Sequence, residues 1–421
     1  MPELLSPAGN LEKLKAAVRF GADAVYLAGR AFGMRAAAGN FTHREMAEGI
    51  AYAHTHGVRA YVTVNTSPRT DEYAALGAYL DELSPLAPDA LIVGDVGVLS
   101  LVRRRLPAMP IHISTQANVV SAETALAYAE MGASRIVLSR ELSLLEIKKI
   151  RSLLPPEVEL EAFVHGAMCI SYSGRCLLSN YLSGRDAGRG ACTQPCRWQY
   201  RTEHLFGVLR EEKRPDEPIP VYEEGGEAFF MSSRDLSMIA HVGELIEAGI
   251  SSFKIEGRMK SAYYTAVVTN AYRMAIDAYL AGNREYDPAW GDEVDSVSHR
   301  EYDTGYFFDS PHTHAKVTEK DGYLREKAYL GRVISYDSVN KTALFEQKNK
   351  LTDGDPVELL VPGRVGIPFC ASPLLDEEGS PIDSAPHPGM RFRLSVPTPV
   401  SEGDLLRGAK KEDKEKVSDV S

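Results

Sequence analysis

The sequence has no run approaching the roughly 18 to 20 apolar residues of a membrane span. Its first residues, Met1-Pro-Glu-Leu-Leu-Ser-Pro-Ala-Gly9, also lack a basic stretch followed by an apolar one. These absences point away from a membrane and make the cytoplasm the expected location. Positive charge is short as well: 47 Lys and Arg face 58 Asp and Glu, a net charge of −11. That excludes a globally basic nucleic-acid binder and leaves a local basic patch as the way to grip RNA. There is no Cys-x2-Cys pair, no His-Glu-x-x-His and no Gly-x-Ser-x-Gly, so the zinc-knuckle, zincin and nucleophile-elbow signatures are missing.

What is present is a globular composition, 44% hydrophobic and 25% charged, able to bury a large core. A chain of 421 residues exceeds one ordinary domain unless that domain is a β/α barrel with an appendage. Eight β-rich runs alternate with amphipathic segments: Glu3–Ser6, Ala24–Ala28, Ala60–Asn65, Ala90–Gly94, Ile111–Thr115, Arg135–Ser139, Val158–His165 and Ser252–Glu256. Helical patterns lie between them at Leu11–Phe20, Arg44–His56, Glu72–Leu83, Ala122–Met131 and Leu142–Leu153, and Ala262–Leu280 follows as the closing helix. Thr42 with Glu45 reads as a capping box, and Asn10 and Asp235 sit where N-caps are wanted. Eight strands in one β/α series predict a closed (β/α)8 TIM-like barrel over residues 1–325.

The spacing breaks after the seventh strand, where residues 166–231 form a long insertion that leaves the barrel's C-terminal rim. Runs at Trp198–Val208 and Ala228–Met231 suggest a projecting hairpin there. Residues 326–409 change to short strands with turn signals, a pattern that predicts a small all-β barrel domain with an accessory substrate-binding role. The charged tail, 410–421, reads as disordered.

Cys169-x6-Cys176-x15-Cys192-x3-Cys196 places four of the five cysteines within 28 residues. Disulfides are disfavoured in a cytoplasmic chain. An iron–sulfur cluster and a four-thiolate zinc site both remain open on spacing alone. Cys370 stands alone and reads as an ordinary thiol.

Strand alternation nominates further residues. On the seventh strand, Glu159, Glu161, Phe163 and His165 face inward; on the eighth, Lys254 and Glu256 do so. Glu161 pairing with Lys254 in a structural network is the bland alternative. The functional reading makes Glu161, His165, Lys254 and Glu256 catalytic, with Arg258 holding an anionic substrate. Asn65 on the third run, and His112, Gln116 and Asn118 on and after the fifth, complete a polar substrate-binding ring. Arg175, Arg185, Arg189, Arg197 and Arg201 interleave with Tyr172, Tyr181, Trp198 and Tyr200. Arginine for phosphates and aromatic faces for unstacked bases suit single-stranded RNA, with Arg175 and Arg197 as leading contacts. The run Arg103-Arg-Arg105 reads as a solvated helix end.

The stretch Glu161-Ala-Phe-Val-His-Gly-Ala-Met-Cys169-Ile-Ser-Tyr-Ser-Gly-Arg-Cys176-Leu-Leu-Ser179 resembles the signature of the peptidase U32 family, the collagenase-like proteins. Leu5-Ser-Pro-Ala-Gly9 and Phe253-Lys-Ile-Glu-Gly-Arg-Met-Lys-Ser261 resemble two more of its blocks. The resemblance implies a TIM-like barrel whose four cysteines hold a 4Fe-4S cluster, in hydroxylases that act without molecular oxygen. One branch of this length is implicated in prephenate-dependent 5-hydroxylation of the tRNA wobble uridine, which makes tRNA the expected partner and prephenate the expected co-substrate. Other branches act on ribosomal RNA or ubiquinone precursors, and some members are described as proteases. The oligomeric state stays open, a homo-oligomer included.

Overall fold

A computed structural model of the chain describes residues 1–35, 39–173, 175–198, 208–211, 214–220, 222–224, 227–229, 233–309, 324 and 327–409, with side chains described outside 199–232. Parallel strands covered on both faces carry continuous apolar runs instead of alternating ones. Ala24–Leu27, Ala90–Val93 and Ile111–Ile113 are accordingly buried at every position.

Seven strands pair in parallel in sequence order: β1 (Glu3–Pro7), β2 (Ala24–Leu27), β3 (Arg59–Val64), β4 (Ala90–Val93), β5 (Ile111–Ile113), β6 (Arg135–Val137) and β7 (Glu159–Ala167). The eighth barrel strand, Ser252–Ile255, pairs in parallel with both β7 and β1, so the sheet closes on itself. The (β/α)8 expectation holds. Inside, small residues sit beside large ones: Ala24 is level with Leu5, and Ala90 with Tyr61, in a cluster that Tyr26 and Ile92 complete.

Capping chemistry sets the helix starts where the sequence marks them. Thr42 and Glu45 form the reciprocal capping box, and Asn10 Oδ1 accepts from the Lys13 amide at 3.0 Å. Asp235 is a correction. It opens the strand Asp235–Ser237, and its carboxylate accepts from the Arg300 guanidinium at 2.5 Å and from the Arg300 amide at 3.1 Å. An acid that binds an arginine far along the chain has the same local sequence as an N-cap. Arg103 is a second correction, since it donates to the carbonyls of Pro107, Met109 and Gly132 instead of standing free in solvent.

The chain departs from the barrel at the end of β7 and returns through Asp235–Ser237, which pairs antiparallel with Ala167, Gly166 and His165. Gly166 adopts φ +106°, and a Cβ there would collide with the Glu256 carbonyl oxygen. Within the excursion, Val208–Glu211 pairs with Arg214–Pro220 and Tyr222–Glu224 with Glu227–Phe229. The arms of the expected single hairpin, Trp198–Val208 and Ala228–Met231, lie largely outside the described residues, as does the tail 410–421.

The chain folds as two compact units. The first comprises Met1–Leu14, Asp23–Met259 and His299–Tyr323; the second comprises Lys15–Ala22, Lys260–Ser298 and Leu324–Ser421. The strand pattern alone predicts one boundary, at 325/326. The second unit instead gathers helices Ala262–Leu280 and Pro288–Asp295 with the C-terminal strands: Asn270 of the first donates to the Arg364 carbonyl at 2.8 Å, and Glu293 of the second accepts from Arg407 at 2.6 Å. Its seven-stranded antiparallel sheet curls into a half-barrel around Val333, Phe345, Phe392 and Leu394. No helix among the described residues is long and apolar enough to cross a membrane.

Candidate active site

Register fixes two layers inside the barrel. Glu161 is level with Ser252, and Ser252 with Glu3; one step toward the strands' C-terminal ends, Phe163 is level with Lys254. The lower layer is a closed ion network. Arg135 donates to Glu3 at 2.6 Å, to Glu159 at 2.7 Å and to Glu161 at 3.1 Å. Tyr61 and Ser252 donate to Glu3 at 2.7 and 2.9 Å, Arg59 pairs with Glu3, and Lys254 donates to Glu161 at 2.6 Å. Burial pushes the Glu161 carboxyl up, but Lys254 and Arg135 outweigh it and hold Glu161 ionised, below the ordinary range.

The upper layer opens as a pocket continuous with solvent. It sits at the C-terminal ends of the strands, where β/α barrels place their chemistry. Among the described residues, Arg35, Arg140, Lys254 and Arg258 line it together with one carboxylate, Glu256. Burial would raise Glu256, yet Arg35, Arg140 and Arg258 prevail and keep it ionised. Arg35 reaches it at 3.4 Å, and Tyr26 donates to Glu256 at 3.3 Å and to the Ile255 carbonyl at 2.9 Å. Arg140 lies 4.1 Å over the Phe163 ring and donates to the Ala167 carbonyl. A neutral wall faces the same space: Asn65 accepts from the Met34 amide at 3.0 Å and donates to Ser114 at 3.2 Å, with Thr63 and Gln116 beside them. Gly9 is required beside Arg258, since a Cβ there would strike the Arg258 carbonyl oxygen.

Five of the residues expected from sequence line the pocket: Asn65, Gln116, Lys254, Glu256 and Arg258. Glu161 lies below it, fully buried in the ion network. His165 turns away, its Nε2 3.1 Å from the Tyr302 hydroxyl. The reason is a register shift between Lys254 and Ile255 against Phe163 and His165, which breaks the two-residue alternation. His112 is buried edge-on to Tyr61 at 4.7 Å, and burial, with Arg135 nearby, pushes it well below its ordinary range, so it is neutral. Asn118, in the left-handed region at φ 57°, accepts from Ser139 at 3.2 Å. Sequence reasoning missed Tyr26, Arg35 and Arg140. A signal existed for the two arginines, which fall in loops just beyond β2 and β6, on the rim.

The cysteine segment follows β7 directly. All four thiols are free and partly buried, and burial pushes the Cys196 thiol up, with Arg197 opposing and Cys169 and Cys192 close enough to add to the rise. The Leu178 and Gln194 amides each point at a sulfur, Cys176 and Cys192, at 3.4 Å. Among the described residues, no three His, Cys, Asp or Glu side chains stand close enough together to hold a metal ion as they are placed. Arg197 is engaged by the Met168 carbonyl at 2.8 Å and by Gln194 at 3.1 Å, and Arg189 by Glu72 at 2.5 Å. Arg175 and Arg185 are exposed, as are Tyr172, Tyr181 and Trp198. Arg201 and Tyr200 lie outside the described residues.

A cation-lined pocket at the mouth of a closed barrel, with a thiol-rich segment leaving the same rim, is the layout of a β/α-barrel enzyme. The chain belongs to peptidase family U32: the family model matches residues 9–316, and the model of the family's C-terminal domain matches residues 325–407. It is 37% identical over 418 residues to tRNA hydroxylation protein P1 of Bacillus subtilis (strain 168), covering 97% of this chain and 95% of that protein. It is 37% identical over 279 residues to the 23S rRNA 5-hydroxycytidine C2501 synthase of Escherichia coli (strain K12), covering 66% of this chain and 40% of that one. A collagenase of Porphyromonas gingivalis (strain ATCC BAA-308 / W83) is 30% identical over 373 residues, 86% of each chain.

Proposed function

We propose that this chain is a tRNA hydroxylase that acts without molecular oxygen, forming 5-hydroxyuridine at the wobble position, with a 4Fe-4S cluster on Cys169, Cys176, Cys192 and Cys196 and prephenate as co-substrate. The observation that carries the reading is the end-to-end likeness to tRNA hydroxylation protein P1. The likeness to a 5-hydroxycytidine synthase supports the coarser statement, hydroxylation of RNA.

The donor set suits an iron–sulfur cluster in kind: four free thiols on one segment, two of them receiving backbone N–H groups. Zinc shares that preference and is the competing occupant. Holding either requires the segment to draw its sulfurs together. A bound cluster would supply electron transfer at the rim. The chain's own part is recognition: Arg140, Arg258 and Arg35 offer charge to an anionic co-substrate, and Asn65 and Gln116 offer neutral polar contacts. Exposed Tyr172, Tyr181 and Trp198 provide faces for unstacked bases, with Arg175 and Arg185 beside them for phosphates.

The peptidase reading needs an activated nucleophile. Among the described residues, Cys176 and Cys192 accept from backbone amides, and no cysteine of the segment is hydrogen-bonded to a histidine. Mass spectrometry of tRNA nucleosides from a deletion strain tests the proposal. Loss of 5-hydroxyuridine derivatives, restored by the intact gene and not by a Cys176→Ser copy, is expected. Unchanged derivatives in a strain with no paralogue refute it.

A further inference from the structure

The stretch Glu161–Ser179 that resembles the family signature ends on a serine three residues beyond Cys176, and neither the pocket nor the ion network uses it. Ser179 is 1% exposed. Its Oγ accepts from the Thr193 amide at 3.1 Å and lies 3.2 Å from Thr193 Oγ1. Ser183 closes the cluster, its Oγ 3.0 Å from Thr193 Oγ1 and donating to the Ser179 carbonyl at 2.7 Å. Thr193 follows Cys192 directly, so these hydroxyls tie the helix Leu178–Ser183, just past Cys176, to the arm that carries Cys192. A second tie joins the other two thiols. Arg197, next to Cys196, donates through Nη2 to the carbonyl of Met168, next to Cys169, at 2.8 Å, and Ser233 donates to the same oxygen at 2.8 Å. Arg197 also donates through Nη1 to Gln194 at 3.1 Å, and its buried Nε has no acceptor among the described residues.

We propose that Ser179 and Arg197 are positioning residues for the metal group of the thiol segment, Ser179 tying the Cys176 arm to the Cys192 arm and Arg197 tying Cys196 to Cys169. The inference rests on the reading that these four thiols hold one metal group, and it applies to either occupant, iron–sulfur or zinc. A supple segment gives up conformational freedom when it wraps a metal, and that loss is subtracted from the affinity. Ties that order the arms beforehand make the subtraction smaller. Four sulfurs spread over 28 residues then reach the metal as two ordered pairs. Arg197 adds a charge-assisted donor beside Cys196, suited to sulfur that carries negative charge. The Ser179–Thr193 bonds stay within the excursion, so the barrel does not depend on them.

The test is metal release from the full chain, purified anaerobically with its metal group and challenged with excess pyridylazoresorcinol, a chelator that reports iron and zinc alike. Ser179→Ala and Arg197→Met should each release metal roughly fivefold faster than the wild type or more. Thr193→Val, which removes the hydroxyl at the same size, should do likewise, and Thr193→Ser, which keeps it, should not. Circular dichroism melting after metal release separates positioning from a general prop of the fold, and there the variants should melt with the wild type. Arg197→Gln repeats the test should Arg197→Met not fold, and Thr193→Val does so for Ser179→Ala. Wild-type release rates in folded Ser179→Ala and Arg197→Met, equal release from Thr193→Val and Thr193→Ser, or metal-free variants that melt below the metal-free wild type overturn the inference. Zinc without sulfide in the wild type, released faster by the variants, refutes the cluster reading alone. Iron and sulfide released at one rate by all of these proteins refute the inference alone, and a wild type that carries no metal refutes both.

Discussion

Lys254 Nζ lies 2.6 Å from Glu161 Oε1, while the other oxygen of that carboxylate accepts from Arg135 at 3.1 Å. The same ammonium stands 4.6 Å from the centre of the Tyr26 ring. One lysine therefore joins the ion network below to the pocket wall above. Replacing it with Met leaves one oxygen of a fully buried carboxylate without its cation while Arg135 still holds the other, so the cost should fall below the about 3–5 kcal/mol of a fully broken buried pair. Lys254→Met should lower the melting temperature by several degrees, and adding Glu161→Leu should recover part of the loss. Additive losses in circular dichroism melts would contradict the coupling.

The four clustered thiols should behave as one set. Serine at Cys169, Cys176, Cys192 or Cys196 is expected to remove iron and acid-labile sulfide from anaerobically purified protein and leave its far-ultraviolet spectrum intact. Cys370→Ser, at an exposed thiol in the half-barrel, should change neither. A colourless wild-type protein loaded with zinc would sink the cluster assignment.

Tyr181 is 84% exposed, so removing its ring should cost little stability. Tyr181→Ala should weaken binding of an unmodified anticodon stem-loop by about 1–3 kcal/mol, the worth of one stacked base. Arg185→Gln should reduce the slope of log affinity against log salt by about one. Fluorescence anisotropy across a salt series reads both, and affinity unchanged in both variants would remove this face from the RNA path.

In the half-barrel, Glu358 accepts from Lys327 at 2.7 Å and from Arg407 at 2.8 Å. Burial pushes its carboxyl up, but Arg407 and Lys327 outweigh that and hold it below the ordinary value of 4.5. A depressed folded value means that the group stabilises the fold above its unfolded value, and that this contribution disappears as pH falls through the folded one. Calorimetric melting temperature should therefore drop below about pH 4.5. Glu358→Gln should start lower at neutral pH and fall less steeply in acid. Parallel curves for the two proteins would show that other groups govern the acid limb.

The barrel was legible because eight short β-rich runs alternate with longer amphipathic segments, and because Thr42 and Glu45 write a helix start into four residues. The Glu161–Lys254 pair was legible too, from two inward charges of opposite sign on adjacent strands. His165 was not, since a one-residue register shift leaves no mark in the alternation it breaks. Asp235 misled because its partner, Arg300, is 65 residues away. Arg35 and Arg140 escape strand alternation because they act from the loops that follow Ala24–Leu27 and Arg135–Val137. Arg189 and Arg197, grouped with the RNA contacts by sequence, are occupied by Glu72 and by the Met168 carbonyl. Ion pairing over long separations is invisible to local pattern.

Ala167 and Asp235 face each other across an antiparallel ladder. The excursion between them is clasped at its base like a purse on a drawstring, and closing a longer loop costs little more than closing a shorter one. A change in length between the clasped ends need not re-register a barrel strand. The cationic pocket is held by the barrel's own strands and loops, and the thiol-bearing excursion is pinned to them where the Ser67 amide donates to the Gly188 carbonyl and Arg189 binds Glu72, so its length can vary only beyond those moorings.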